Sequence, residues 1–229
     1  MTPRSRRQES AETRICNAIR AAILERKLLP GTKLQEVPLG EYFGVSRTIV
    51  RQALRRLDHE GIVSLRTKRV AVVARPSLAH VRQVFAARRV IEKAVVSVVA
   101  EAITATELAA LKRLVREENA AYAQDDRKRG LTLSLAFHHR LASLSGNALL
   151  ERYLRELVLQ SSLAIALYER SGVAHERADH DALVLALARR DGRLAARVME
   201  RHLSELERRL ALDDRDRAPT LQSIFGAPA

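Results

Sequence analysis

The chain carries one cysteine, no tryptophan, and only four tyrosines and four phenylalanines among its 229 residues. A single thiol, Cys16, excludes an internal disulfide and any cysteine-rich zinc finger, which leaves it the role of a buried, inert side chain. The scarcity of aromatic rings removes the stacking platform on which single-strand nucleic-acid binders depend. No stretch approaches the roughly 20 uncharged apolar residues of a membrane-spanning helix. Residues 1–14 are polar and basic, without the apolar segment of a secretion signal. These absences predict a soluble, cytoplasmic protein with no membrane partner. Acid is also short: 27 Asp and Glu face 40 Lys and Arg, for a net charge of +13.

That excess points to a polyanionic partner, and its distribution narrows the choice. Residues 1–75 hold 16 Lys and Arg against 7 Asp and Glu, so an N-terminal third carries most of the net charge. With few rings to stack on single strands, double-stranded DNA is the expected partner.

The pattern of the same third agrees. Residues 11–27 place Ile15, Ile19, Ala22 and Ile23 on one helical stripe that Pro30-Gly31 stops. A short helix over 38–43 follows, with Gly44 suited to its C-terminal cap and Ser46 to the N-cap of the next. Over residues 47–60, Val50, Ala53, Leu54 and Leu57 recur as an inner face, while Arg47, Arg51 and Arg55 form a basic row. Two β-prone runs, 62–65 and 70–74, flank a basic tip at 66–69 and read as a wing. This is a winged helix-turn-helix layout. Arginine matches guanine O6 and N7 in the major groove, which makes Arg47 and Arg51 the leading base readers, with Thr48 and Gln52 beside them. Lys68 and Arg69 at the wing tip would meet phosphates or the minor groove.

Arg75-Pro76-Ser77 breaks the pattern, which divides the chain into a DNA-binding domain at 1–75, a helical domain at 76–212 and a loose tail at 213–229. The helical domain reads as six antiparallel helices over 78–103, 104–127, 131–145, 147–170, 175–190 and 191–211. Thr104 and Glu107 form a capping box, and Gly146 closes the third helix. The fold class is therefore mainly α, a winged helix-turn-helix followed by an all-α six-helix bundle.

Seven histidines occur, and His59, His80, His139 and His175 need no role beyond surface or half-buried polarity. His180 lies 11 residues before Asp191 and His202 lies 11 after it. If Asp191-Gly192 is a turn between antiparallel helices, both imidazoles sit about 16 Å from it at about 1.5 Å per residue, level with each other. Facing histidines at one height can share a metal, and His138 on the third bundle helix completes a three-nitrogen set. Satisfied core histidines are the competing reading.

Several segments resemble the GntR family of bacterial transcription regulators. They are Pro30-Gly31-Thr32-Lys33-Leu34, then the run from Phe43 through Gly44-Val45-Ser46-Arg47-Thr48-Ile49-Val50-Arg51-Gln52-Ala53 to Leu54, and Leu57-Asp58-His59-Glu60-Gly61-Ile62-Val63. The resemblance puts Arg47 and Arg51 at operator-contacting positions. Two departures stand out: Val70 where the wing usually has glycine, and Val37 where some relatives have arginine.

Downstream, the chain resembles the FCD effector domain of the FadR subfamily, in its six-helix, VanR-like group. The residues are Arg88-Arg89-Val90-Ile91-Glu92, Phe137-His138-His139-Arg140-Leu141, Ser145-Gly146-Asn147, Asp179-His180 and Met199-Glu200-Arg201-His202-Leu203. Such domains hold a divalent metal through one Asp and three His, which implies His138, His180 and His202 here. The Asp position is Ser134, a neutral hydroxyl that lowers the charge of the site. Two occupancies follow: zinc or nickel completed by water or an effector carboxylate, or a metal-free pocket in which Ser134 and the histidines bind effector directly. By the same resemblance Arg88 and Asn147 become effector-binding candidates, and Arg88 has an equal competing role as an i, i+4 partner of Glu92.

The leading expectation is thus a non-enzymatic, ligand-responsive homodimer, a repressor released from operator DNA by a small organic acid. A constitutive DNA-binding dimer is the alternative. A three-histidine metallohydrolase ranks behind both, because no carboxylate stands one turn from His138 to serve as general base.

Overall fold

The computed structural model describes residues 9–25, 27–65, 70–168 and 178–210. The expected wing tip with Lys68 and Arg69, the segment holding His175, and the tail at 213–229 lie outside them.

The chain opens with α1 (Ala11–Leu24), whose N-cap Ser10 accepts a hydrogen bond from the Thr13 amide. It ends at Leu24, before the expected 27. Its stripe Ile15, Cys16, Ile19 and Ile23 is buried against the inner face of α3 (Arg47–His59), formed by Val50, Ala53, Leu54 and Leu57. Each such Leu or Ile contributes about 1.5–3 kcal/mol by leaving water. The Cys16 thiol donates to the Ala53 carbonyl at 3.6 Å, and burial pushes its pKa up, in keeping with an inert role.

Between them α2 (Glu36–Phe43) starts two residues earlier than its proline suggests, because Pro38 falls in the first turn where no amide partner is lost. Gly44, at φ +64°, closes α2 in the left-handed conformation, and Ser46 caps α3 by accepting from the Ile49 amide at 3.4 Å.

Three short strands complete the wing. β1 (Lys33–Leu34), β2 (Val63–Ser64) and β3 (Ala71–Val73) form an antiparallel sheet in the order β1-β3-β2, with Val63 opposite Val73 and Lys33 opposite Val72. β1 was not expected, since two residues give no alternation to read.

The second half comprises α4 (Leu78–Ala102), α5 (Ala105–Ala123), α6 (Arg127–Leu144), α7 (Ala148–Tyr168), α8 (Ala178–Ala188) and α9 (Gly192–Arg209). Helix α5 has both bonds of the Thr104–Glu107 capping box, and Asp191 caps α9 by accepting from the Leu194 amide. Helix α6 begins four residues before the expected 131. Asp125 turns the chain at φ 57° and Asp126 caps the new helix by accepting from the Arg129 amide. Gly130 lies inside α6 with the Tyr122 ring crossing it: a Cβ there would stand 2.5 Å from Tyr122 Cε1.

The main core runs through this bundle, from Val95, Val96 and Val99 of α4 to Leu183, Leu187, Met199 and Leu203. The halves meet along α7. Leu159 and Leu163 pack into the core of α1 and α3, and Gln160 donates to the Glu60 carbonyl at 3.3 Å and meets His80 Nε2 at 3.1 Å. Lys128 at the start of α6 pairs with Glu25 at the end of α1 at 2.5 Å.

Candidate DNA-reading surface and histidine cavity

The α3 surface follows from its cap. Ser46 fixes the first turn, so Arg47, Thr48, Arg51 and Gln52 fall on the side opposite the buried stripe, and all four are exposed. The two arginines converge on one acid. Arg51 donates from Nε and Nη2 to the two carboxylate oxygens of Glu36 at 2.9 and 2.8 Å, while Arg47 Nε lies 3.8 Å from Glu36 Oε2. The Arg51 guanidinium, through its hydrogen bonds, holds the Glu36 carboxyl below its usual pKa. Glu36 therefore aligns the fork of Arg51 in the open, where a base edge or phosphate can exchange with it. Val37 and Val70, at the two departures from the family pattern, are exposed as well.

The bundle holds a cavity of about 50 Å³ bordered by Arg88, Ser134, His138, His180 and His202. The three histidines arrive from α6, α8 and α9, and their candidate ligand atoms all lie within 4.8 Å of one another. Ring centroids are 5.2 Å apart for His138 and His180, 5.4 Å for His138 and His202, and 4.7 Å for His180 and His202. Phe137 stacks on His180 at 4.3 Å and fixes that ring from below.

Two carboxylates orient the imidazoles. Glu92 Oε2 lies 2.5 Å from His138 Nδ1, and Glu118 Oε2 lies 2.7 Å from His180 Nδ1. Burial alone would raise the Glu92 pKa, but Arg88 and His138 together hold it well below the carboxylate range. Burial pushes His138 down to about 4, against the pull of Glu92, so the ring is neutral at pH 7. An ionised carboxylate only accepts, so Nδ1 carries the hydrogen and the Nε2 lone pair of His138 is left for the cavity. His180 Nδ1 likewise faces a carboxylate, Glu118, and its Nε2 is buried with no hydrogen-bond partner among the described residues. A three-imidazole set with second-sphere carboxylates suits zinc or nickel.

Arg88 is 2% exposed and fully engaged on two of its three nitrogens. Nε donates to Glu92 Oε1 at 2.6 Å and Nη1 to Ser161 Oγ at 2.7 Å. Nη2 is buried and has no hydrogen-bond partner among the described residues. The i, i+4 pairing with Glu92 is present, and Nη2 is the atom left for the effector role expected of this residue.

The remaining sequence candidates divide. Ser134 borders the cavity. Asn147 does not: it is exposed, and its side chain accepts from the Leu149 and Leu150 amides at 3.0 and 3.2 Å, which caps α7. Two residues that sequence reasoning passed over are the histidine partners. Glu92 was read only as a mate for Arg88. Glu118 went unnoticed, although it sits on the buried stripe Leu111, Val115, Glu118 of α5, where an acid is out of place unless paired.

Comparison with known proteins bears on both surfaces. Residues 11–73 match the model described as bacterial regulatory proteins, gntR family, and residues 83–205, more than half of the chain, match the FCD domain. The HTH-type transcriptional repressor RspR of Escherichia coli (strain K12) is 27% identical over 194 residues, covering 84% of this chain and 85% of that protein. The HTH-type transcriptional regulator LutR of Bacillus subtilis (strain 168) is 28% identical over 204 residues, covering 79% and 92%. Among solved structures, E. coli McbR/YncC superposes with a TM-score of 0.75 at 20% identity, covering 88% of this chain and 99% of that one, and supports the fold.

Proposed function

The chain belongs to the gntR family of DNA-binding transcriptional regulators as a member with an FCD domain, and on that premise we propose that it is a repressor released from its operator by a small organic acid. In this reading residues 1–75 bind operator DNA, and residues 76–212 bind effector and dimerise. The observation that carries the ligand assignment is Arg88 Nη2, a buried guanidinium nitrogen without a hydrogen-bond partner among the described residues, beside the three-histidine set. An acid's carboxylate would accept from it and replace the solvation lost on burial.

The cavity of about 50 Å³ has room for roughly three to five waters, which limits the effector to a compact acid of a few heavy atoms. His138, His180 and His202 would hold a divalent metal, which when bound supplies a Lewis-acidic position for the effector's oxygen. Ser134, in place of a carboxylate, keeps the protein's own ligand set neutral and leaves an anionic effector to supply the balancing charge. The repressor sign follows RspR, whose name states that role. The family's members regulate transcription, and the carboxylates near the histidines are engaged in orienting them, so the hydrolase alternative has no base to work with.

A homodimer supplies two recognition helices for two half-sites. Its surface, in this reading, is the outer face of α4, where Ala86, Val90, Ala94 and Val98 stand four residues apart; Val90 is 73% and Val98 48% exposed. The test is a panel of small organic acids in a thermal-shift assay with and without chelator, followed by operator binding in the presence of each hit. The expected result is an acid that raises the melting temperature and weakens operator binding. Unchanged melting and unchanged operator affinity across the panel would favour the constitutive dimer.

A further inference from the structure

A second and much larger cavity lies where the DNA-reading half meets the bundle. It encloses about 670 Å³, against about 50 Å³ beside the histidines. That places it in the range of about 300–1,000 Å³ typical of small-molecule sites, and junctions between domains are a preferred location for them. One wall comes from α1 and α3, the other from α6 and α7.

Its lining has two characters. Ala21 and Leu24 on one side face Leu135, Ala136 and Leu159 on the other, an apolar floor. Around it stand five Lys and Arg side chains against three Glu. Several of these cations are spoken for: Arg20 by Glu60, Lys128 by Glu25, Arg155 by Glu151. Arg152 has no carboxylate partner among the described residues, and lies over the Tyr153 ring at 5.0 Å. In the same lining, His139 Nε2 is buried without a hydrogen-bond partner among the described residues. The cavity thus combines an apolar floor, a surplus of positive charge and an unmet polar atom.

We propose that this interdomain cavity is a second ligand site, for an organic anion whose apolar body is too large for the histidine cavity. The anionic group would meet Arg152 at the α7 side, and the apolar body would lie between Leu24 of α1 and Ala136 of α6. Leu135 borders both cavities, so α6 is the partition between them. A molecule held there touches both halves at once and fixes their relative placement.

The test uses the full chain and anilinonaphthalene sulfonate, an anionic aromatic amphiphile that fluoresces when it leaves water. Saturable enhancement at one site per chain is expected. Ala136→Trp, which fills the cavity, lowers the affinity at least tenfold, and Arg152→Glu weakens it severalfold. Leu24→Trp fills the same space from the opposite wall and gives the same loss should the α6 variant fail to fold. Chelator leaves binding unchanged. Absence of saturable binding overturns the proposal, as does binding that survives both tryptophan variants or that is lost on adding chelator. Because the readout involves no DNA, a negative result leaves the operator assignment standing.

Discussion

Two arginine–glutamate pairs of similar length occupy opposite environments. Arg51 and Glu36 meet at 2.8 Å with side chains 52% and 28% exposed; Arg88 and Glu92 meet at 2.6 Å at 2% and 1%. In the open, water and salt screen the attraction, so the pair is easily exchanged for another anion. In the interior, each charge depends on the other, because neither has water to fall back on. The first pair therefore keeps the Arg51 guanidinium exposed and exchangeable, which is what the proposed DNA contact requires. The second is a fixed frame that orients His138 and leaves Arg88 Nη2 without a hydrogen-bond partner among the described residues. Chemical likeness says little about role until burial is known.

The contrast is most sharply tested by removing each acid. Glu92→Ala strands the Arg88 charge in the interior, and a loss of about 3–5 kcal/mol is expected from urea unfolding. A loss within experimental error would mean that the buried pair is no more interdependent than the exposed one. Next in size is the effect of metal on the cavity. Zinc or nickel at a hundredfold its Kd should stabilise the protein by about 2.7 kcal/mol, reversed by chelator and absent in His138→Ala. Metal analysis decides it: full occupancy in His138→Ala would remove that residue from the ligand set.

Smaller in stability terms but specific in function is Arg51→Ala. It should weaken specific operator binding about 5- to 150-fold, the worth of one bidentate base contact, with the urea midpoint unmoved. Equal weakening on random DNA would demote Arg51 to a phosphate contact. The least effect is expected of Glu36→Gln, which should leave the unfolding midpoint where it was and tighten operator binding at low salt by removing a competitor of the DNA. Weaker binding would instead make Glu36 an aid to Arg51 that the complex retains.

Local chemistry made much of the fold legible. Ser46, Asp191 and the Thr104–Glu107 box announce helix starts with side chains that bond to amides three residues on, and the structure has all three. The level placement of His180 and His202 followed from helix rise alone. What escaped was non-local. Glu92 finds His138 46 residues away and Glu118 finds His180 62 away, contacts that no spacing rule contains. Glu36 reaches Arg51 across the turn between two helices. Asn147 shows the opposite failure, since a capping side chain in a resemblance segment was taken for a cavity residue. Helix α6 starts four residues before the expected 131 because Asp126 caps it, and Gly130 sits inside its first turns beneath the Tyr122 ring.

That glycine has a bearing on selectivity. Tyr122 borders the histidine cavity, and its ring occupies the room that a methyl group at 130 would need. Adding the methyl forces the ring aside, so the dimensions of the chamber depend on an atom left out of a residue that contributes nothing to its lining. The size of the histidine cavity can thus be changed at a position with no polar atom to offer, and a search restricted to charged or ligating residues would pass over it.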